Sequence, residues 1–277
     1  MRRLWQLKNK SRLLSGPYLF WAISFIIIPF CMIFCYGLTD KSGNLTLANI
    51  LSIATSEHSK ALSLSIELSL IATAICLLLG YPLAAILAHM KNSSGVIIFV
   101  FILPMWMNFL LRTLAWQTLL EKTGVINTVL SALHLPTINI INTSGAIVLG
   151  MVYNFLPFMV LPLYNSLTKI DENVLNAAAD LGANAFQTFY KITLPLSVPG
   201  IISGITMVFV PALTTFVISK LLGGSKILLI GNVIEEQFTQ AGNWHLGSGL
   251  SIVLMIFIII NMLLSAVFDK DGEGSVL

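Results

Sequence analysis

Charged side chains and cysteines are both scarce in this sequence. Asp, Glu, Lys and Arg together make up 10% of the 277 residues, and cysteine occurs three times. Cys31, Cys35 and Cys76 lie in apolar runs without CxxC spacing, so the sequence predicts neither a disulfide framework nor a metal site. We expect all three to be small, buried hydrophobic side chains. The GxxxxGK[ST] loop is also missing, so the chain cannot cradle a nucleotide phosphate by the usual route.

Hydrophobic residues are correspondingly abundant. They make up 56% of the chain, which is typical of a protein that crosses a membrane several times. The formal net charge is +3, and much of the basic excess lies in the first dozen residues. This tail contains no acidic residue, so the positive-inside rule places it in the cytoplasm and its charge does not indicate nucleic-acid binding. We expect no cleavable signal peptide, because the first apolar stretch is long enough to span.

Six stretches reach the roughly 20 apolar residues that a bilayer crossing requires. The sequence therefore predicts an all-α polytopic membrane protein with both termini in the cytoplasm. Residues 1–16 and 270–277 would be cytoplasmic tails, and residues 17–269 one six-helix transmembrane domain. We also expect short amphipathic surface helices in two outer connections, around residues 123–130 and 230–238. The predicted spans are Tyr18–Leu38, Leu62–Ala88, Val96–Leu119, Ala146–Leu167, Gly200–Leu222 and Leu250–Phe268.

A polar interruption at residues 171–199 begins with a short helix. Asp171 can cap this helix, and good helix formers follow it. Leu175, Ala178 and Leu181 are spaced to share one face. Gly182 comes directly after the last periodic residue, which predicts a left-handed C-cap.

The second half of the 171–199 segment predicts another short helix. Asn184–Ile192 is amphipathic, with three aromatic residues on its apolar side. Pro195 and Pro199 predict a break in the chain before the next apolar span. The aromatic residues are Phe186, Phe189 and Tyr190.

This order of helix, glycine, helix and Leu-Pro resembles the cytoplasmic EAA loop of permease subunits in binding-protein-dependent ABC importers. The resemblance rests on Asn176-Ala177-Ala178, on Gly182 after three further residues, and on Leu194-Pro195. Asn176 stands where that family usually has glutamate. In the family this loop forms the coupling helix, which docks into a groove on the ATPase subunit. The resemblance implies that the docking residues are Asn176, Ala177, Ala178, Asp180, Leu181, Gly182 and Ala183.

The same resemblance implies the partners and the mechanism. We expect a second, homologous permease subunit, a dimer of ABC ATPases and an external substrate-binding protein, assembled in a bacterial plasma membrane. ATP and Mg²⁺ would belong to the ATPase, so no catalytic residue, metal or cofactor is expected on this chain. The implied mechanism is alternating access, in which closure of the ATPases pushes the loop around Gly182.

Two further stretches resemble the spermidine/putrescine class of these permeases. They are Leu79–Ala88, reading LGYPLAAILA, and Leu103–Asn127, reading LPMWMNFLLRTLAWQTLLEKTGVIN. The ammonium groups of a polyamine need hydrogen-bond acceptors and aromatic faces. The residues that could supply them along a translocation path are Glu67, Trp106, Asn108, Trp116, Tyr153 and Asn154.

Glu67 and Arg112 are the two charges placed most clearly inside apolar runs. Such a charge costs several kcal/mol unless it is paired or faces water. By the predicted topology both lie one to two helical turns below the outer membrane surface, so we hypothesise that they pair or share a polar network there. The alternative is that each reaches water separately. Pro211 can also interrupt its helix and free backbone carbonyls, which places the path beside Phe209, Thr214 and Thr215.

Other functions remain open at this point. A permease for another small solute, such as an amino acid, sulfate, phosphate or molybdate, would carry the same loop. An intramembrane enzyme would need convergent catalytic groups, and the scarcity of His, Asp and Glu in the spans disfavours it. A stand-alone secondary transporter is disfavoured by the loop and by the lack of an internal repeat.

Overall fold

The structure, a computed structural model, describes residues 16–90 and 103–273. Within these two ranges the regular structure is helical and contains no β-strand, so the all-α prediction is confirmed. Residues 1–15, 274–277 and the start of the third predicted span lie outside the described residues. The division into tails and one transmembrane domain therefore stays a prediction.

Two π-helical turns, Ile23–Ile27 and Phe189–Thr193, join α1 to α2 and α9 to α10. The predicted amphipathic helices around residues 123–130 and 230–238 correspond to α6 and α12. The α-helices are α1 Gly16–Ala22, α2 Ile28–Gly37, α3 Ala48–Leu51, α4 Ser56–His89, α5 Phe109–Leu120, α6 Val125–Ala132, α7 Ser144–Leu167, α8 Glu172–Asp180, α9 Ala185–Thr188, α10 Leu194–Thr214, α11 Val217–Leu222, α12 Ile230–Thr239 and α13 Trp244–Glu273.

Five helical segments among the described residues are long and apolar enough to cross a bilayer. Each overlaps one of the six predicted spans. They are Pro17–Gly37, Ser56–His89, Ser144–Leu167, Ala185–Thr214 and Trp244–Ala266.

The remaining predicted span, Val96–Leu119, is not one continuous helix. From residue 103 onward a 3₁₀ turn, Leu103–Trp106, is followed by a break, and α5 begins only after Asn108. The Asn108 side chain causes this start, because its Oδ1 accepts from the amides of Leu110 at 2.9 Å and Leu111 at 3.3 Å. The apolar composition of Val96–Leu119 predicts one helix, but Asn108 begins a new helix inside this stretch.

The predicted span Gly200–Leu222 is wrong at both ends. Helix runs without a break from Ala185 to Thr214, so Pro195 and Pro199 do not interrupt it. The π turn changes the hydrogen-bond register just before Pro195, since the amide of Leu194 donates to the Phe189 carbonyl five residues earlier.

At its other end this helix passes through Pro211 and ends at Thr214. Thr215 then has an extended backbone, with φ −66° and ψ 137°. The predicted interruption at Pro211 therefore lies one turn later, between α10 and α11.

The described residues group into two compact units, residues 16–56 with 234–256 and residues 57–233 with 257–273. In the second unit, α7 is the most buried span, and Met159 lies between two glycines. A Cβ built on Gly80 of α4 would lie 3.0 Å from Met159 Cγ, and one on Gly204 of α10 would lie 2.7 Å from Met159 Sδ. Small residues thus let α4 and α10 pack closely on α7.

In the first unit, polar side chains hold the turn after α2. The Asn49 amide donates to the carbonyl of Gly37 at 3.3 Å and to that of Thr39 at 2.9 Å. Asp40 Oδ1 accepts from the amide of Asn44, which lowers the pKa of this exposed carboxyl, and the amide of Ser42 adds to the effect. The loop between α2 and α3 is therefore ordered by local hydrogen bonds.

The cysteines only partly follow the prediction. Cys76 of α4 is fully buried, as expected, but Cys31 and Cys35 of α2 are exposed on this chain. The apolar window of this first span buries none of its residues within the chain, so its side chains face outward, as those of a lipid-facing helix do.

Candidate functional site

The 171–199 segment folds through local capping signals. Asp171 is extended and accepts a hydrogen bond from the Asn173 amide at 2.9 Å, which caps α8. At the other end Gly182 has φ +80°, the predicted left-handed conformation. The Ala183 amide donates to the Ala178 carbonyl at 3.0 Å, and the Gly182 amide to the Ala179 carbonyl at 2.9 Å. These two bonds form a Schellman motif.

The next short helix is capped in the same way. Asn184 Oδ1 accepts from the Gln187 amide at 2.8 Å, and Gln187 Oε1 accepts from the Asn184 amide at 3.0 Å. This reciprocal capping box fixes the turn that separates α8 from α9. The backbone around Gly182 is therefore defined on both sides by its own sequence.

The segment presents large apolar side chains outward. Leu181 is 89% exposed and Phe186 is 74% exposed. Phe186 and Tyr190 are stacked, with ring centroids 6.4 Å apart and an interplanar angle of 4°. The spacing predicted that Leu181 shares the buried face of Ala178. This prediction is wrong, because Leu181 is the C-cap residue at which the chain leaves the helix.

The other predicted docking residues lie on or beside this surface. Asn176, Ala177, Asp180 and Gly182 are exposed, and Ala183 is half-buried. Ala178 faces inward, with 6% of its surface exposed. Exposed apolar groups on a polar segment are typical of a surface that binds a partner.

Glu67 and Arg112 are not joined. The structure contains no ion pair or hydrogen bond between these two described residues. Glu67 is exposed on α4, whereas the Arg112 side chain is only 8% exposed on α5 and its Nε donor is unsatisfied. The direct pair is therefore absent from this structure, and the shared polar network stays a prediction.

Of the predicted path residues, Trp116 and Tyr153 are brought together. Their rings meet edge to face, with centroids 5.3 Å apart, where α5 faces α7. Trp106 is exposed in the 3₁₀ turn, and Asn108 uses its oxygen to cap α5. Asn154 is buried on α7 and its Oδ1 is unsatisfied.

The remaining predicted path residues lie at the end of α10. Phe209 and Thr215 are buried and Thr214 is half-buried. Backbone carbonyls of Thr214 and Thr215 closely approach Gly231, where a Cβ would come within 2.7 and 2.9 Å of them. The N-terminus of α12 therefore covers the end of α10.

Asn232 organises this helix break, although no sequence pattern predicts its role. Its Nδ2 donates to the Phe216 carbonyl at 3.0 Å. Its Oδ1 accepts from the Leu229 amide at 3.2 Å and from the hydroxyl of Ser219. A polar residue near the start of an amphipathic helix was the available signal, but its partners lie up to 16 residues away.

Known proteins provide an independent comparison. The model of the family described as "Binding-protein-dependent transport system inner membrane component" matches residues 77–270. The spermidine/putrescine transport system permease protein PotB of Haemophilus influenzae is 37% identical over 260 residues, 90% of this chain and 91% of that protein. PotB of Escherichia coli strain K12 is 39% identical over 245 residues, 85% of this chain and 89% of the relative.

Solved structures agree on the fold. A chain of a bacterial alginate ABC transporter in complex with an alginate pentasaccharide-bound periplasmic protein superimposes with a TM-score of 0.73. It covers 95% of this chain and 96% of its own length, at 16% identity. The family match over most of the sequence, together with the PotB identities, shows that the chain belongs to the binding-protein-dependent transport system inner membrane components and is a multi-pass transport subunit, not an enzyme.

Proposed function

We propose that this chain is a permease subunit of an ATP-driven importer of polyamines such as spermidine and putrescine. The observation that carries the proposal is the identity of 37–39%, over most of both chains, to permeases named for spermidine and putrescine. Glu67 is consistent with a cationic substrate, because it places an exposed carboxylate in an apolar helix. The facing rings of Trp116 and Tyr153 offer an aromatic surface for an ammonium group.

We further propose that the 171–199 segment docks on an ABC ATPase. Its capped helices hold Leu181 and Phe186 outward on a defined backbone, which suits insertion into an apolar groove. ATP and Mg²⁺ would be bound by that partner. In this arrangement the segment and both termini face the cytoplasm, and the basic N-terminal tail supports this orientation.

The complete transporter in this proposal has two permease subunits, two ATPases and an external binding protein. Closure of the ATPases pushes the 171–199 segment and opens the permease pair outward. The loaded binding protein then releases its ligand into the path between the subunits. Arg112 opposes a cation, so we place the cation-binding part of the path on the side of Glu67.

The test is ATP hydrolysis by the reconstituted complex of this chain and its partner subunits. Spermidine-loaded binding protein should stimulate hydrolysis, whereas unloaded binding protein should not. Stimulation by a binding protein loaded with an amino acid, sulfate, phosphate or molybdate, without a response to spermidine, would keep the transport role and overturn the polyamine assignment. Hydrolysis that ignores every loaded binding protein would overturn both.

A further inference from the structure

A hydrogen bond joins α4 to the start of α10 across more than a hundred residues of sequence. Tyr81 Oη and Ser197 Oγ lie 2.8 Å apart. Ser197 Oγ already donates to the Leu194 carbonyl at 2.9 Å, so its single proton is used and the Tyr81 phenol is the donor. Ser197 is fully buried, where an unmade hydrogen bond is costly.

The same tyrosine also contacts the π turn that ends the loop. The rings of Tyr81 and Phe189 meet edge to face, with centroids 5.7 Å apart and an interplanar angle of 88°. Phe189 is the first residue of the π turn, and Ser197 lies in the first turn of α10. Tyr81 therefore touches the 171–199 segment on both sides of Pro195.

The position of Tyr81 on α4 is also distinctive. Its neighbour Gly80 packs directly on Met159 of α7. The residue after it, Pro82, has no amide proton, so the carbonyl of Leu78 loses its helical partner and α4 is less stiff there. Beyond this point Ala84 and Leu87 of α4 are buried in the apolar core, and Tyr81 adds a directional hydrogen bond to that packing.

We propose that Tyr81 is a positioning residue that makes the end of α4 move together with the 171–199 segment and α10. This inference rests on the proposed docking of an ATPase on that segment. A displacement of α9 passes into α10 because helix is continuous from Ala185 to Thr214. Tyr81 passes the same displacement to α4, and without it α4 follows the movement of α10 less closely.

A distance measurement tests this directly. The complete complex is prepared with Cys31, Cys35 and Cys76 replaced, and spin labels are attached through Ile86→Cys on α4 and Leu196→Cys on α10. Both positions are exposed on this chain. A reference pair joins Leu196→Cys to Val129→Cys on α6, and distances are measured by pulsed EPR without nucleotide and with ATP and vanadate.

With Tyr81 intact, nucleotide should change the reference distance and leave the distance from residue 86 to residue 196 unchanged. Tyr81→Leu loses both the hydrogen bond to Ser197 and the ring contact with Phe189. In this variant the distance from residue 86 to residue 196 should shift, or its distribution should broaden, when nucleotide binds. An unchanged distance in Tyr81→Leu would overturn the proposal. An unchanged reference distance in the wild type would overturn the docking proposal as well, because no displacement would then reach α10.

Hydrolysis supplies the second readout. Tyr81→Phe keeps the ring contact and loses the hydrogen bond, and Ser197→Ala removes its acceptor. Each substitution should lower the ratio of stimulated to basal hydrolysis about fivefold, because the loss of one neutral hydrogen bond corresponds to a change of about that factor. The double variant should lower the ratio no further, since both substitutions remove the same bond. In Tyr81→Phe, which leaves the 171–199 segment itself unaltered, basal hydrolysis and co-purification of the ATPase should be unchanged.

Tyr164→Phe of α7 is the matched control, because the Tyr164 hydroxyl makes no hydrogen bond among the described residues. Its ratio should equal that of the wild type. Equal ratios in Tyr81→Phe, Ser197→Ala and Tyr164→Phe would overturn the proposal. A wild type that ignores spermidine-loaded binding protein refutes only the substrate, since the EPR distances depend on nucleotide alone.

Discussion

The amide of Ala183 donates to the carbonyl of Ala178 at 3.0 Å, across a glycine with φ +80°. The second residue beyond the C-cap can donate its amide to a carbonyl in the last turn of the helix only if the residue directly after the C-cap has a left-handed backbone. Gly182 therefore sets the direction in which the chain leaves α8 and enters α9. It fixes where Leu181 and Phe186 stand relative to each other.

Gly182→Val should weaken docking of the ATPase. A β-branched residue in the left-handed region costs about 1–2 kcal/mol, so the turn should be lost from part of the population. A Cβ at this position meets no atom within 4 Å, so the effect comes from the backbone and not from crowding. The amount of ATPase that co-purifies with the permease measures it.

Gly182→Asn is the matched control, because asparagine tolerates the left-handed region. It should retain most of the bound ATPase. If the valine and asparagine variants retain equal amounts, the left-handed turn does not determine docking.

Leu181→Asp should abolish co-purification of the ATPase without unfolding the permease. The side chain is almost fully exposed, so the substitution breaks no internal packing. It places a charge at the centre of the proposed apolar contact, which costs several kcal/mol if the contact becomes dry. Leu133→Asp, at an exposed leucine just after α6, is the control and should bind ATPase normally. Retention of ATPase by Leu181→Asp would remove this residue from the interface.

Much of the 171–199 segment was predictable because its signals are local. Asp171 and Asn184 cap the amides that follow them, and Gly182 adopts the conformation that its position predicts. Such interactions span two to five residues, so they can be read from the sequence alone. Five of the spans were located by apolar length for the same reason.

The errors arose where a distant or irregular contact decides the structure. Pro195 was expected to break the chain, but a π turn before it keeps the helix continuous. The spacing predicts that Leu181 shares the buried face of Ala178, but Leu181 is the C-cap residue that follows the end of α8. The contact of Tyr81 with Ser197 links residues 116 positions apart, and no periodic pattern indicates it.

Glu67→Gln should reduce polyamine uptake. The substitution keeps the shape of the side chain and removes the charge that would bind an ammonium group in the path. Loss of a charge-assisted hydrogen bond lowers binding affinity about tenfold. The concentration of spermidine needed for half-maximal uptake should therefore rise by about that factor. Uptake into proteoliposomes at a fixed amount of binding protein measures this effect.

Glu57→Gln provides the control for charge on the same helix. Glu57 lies in the first turn of α4, ten residues before Glu67 and outside the predicted path. Its variant should transport spermidine as the wild type does. If both variants raise the spermidine concentration for half-maximal uptake equally, general electrostatic attraction, and not a site at Glu67, controls uptake.

Gly200→Ala should destabilise the packing of α10 on α7. A Cβ at this position would lie 2.5 Å from Ser166 Cβ and 2.9 Å from the carbonyl oxygen of Pro162. The carbonyl belongs to a helix backbone and cannot rotate away, so α10 must shift, at a cost of about 1–3 kcal/mol. Thermal unfolding of the purified complex should show a lower midpoint. Gly145→Ala in the first turn of α7, where the nearest atom would be 3.5 Å away, should leave the midpoint unchanged. Equal midpoints for both variants would mean that the two helices are free to separate at Gly200, and that the close approach there does not contribute to stability.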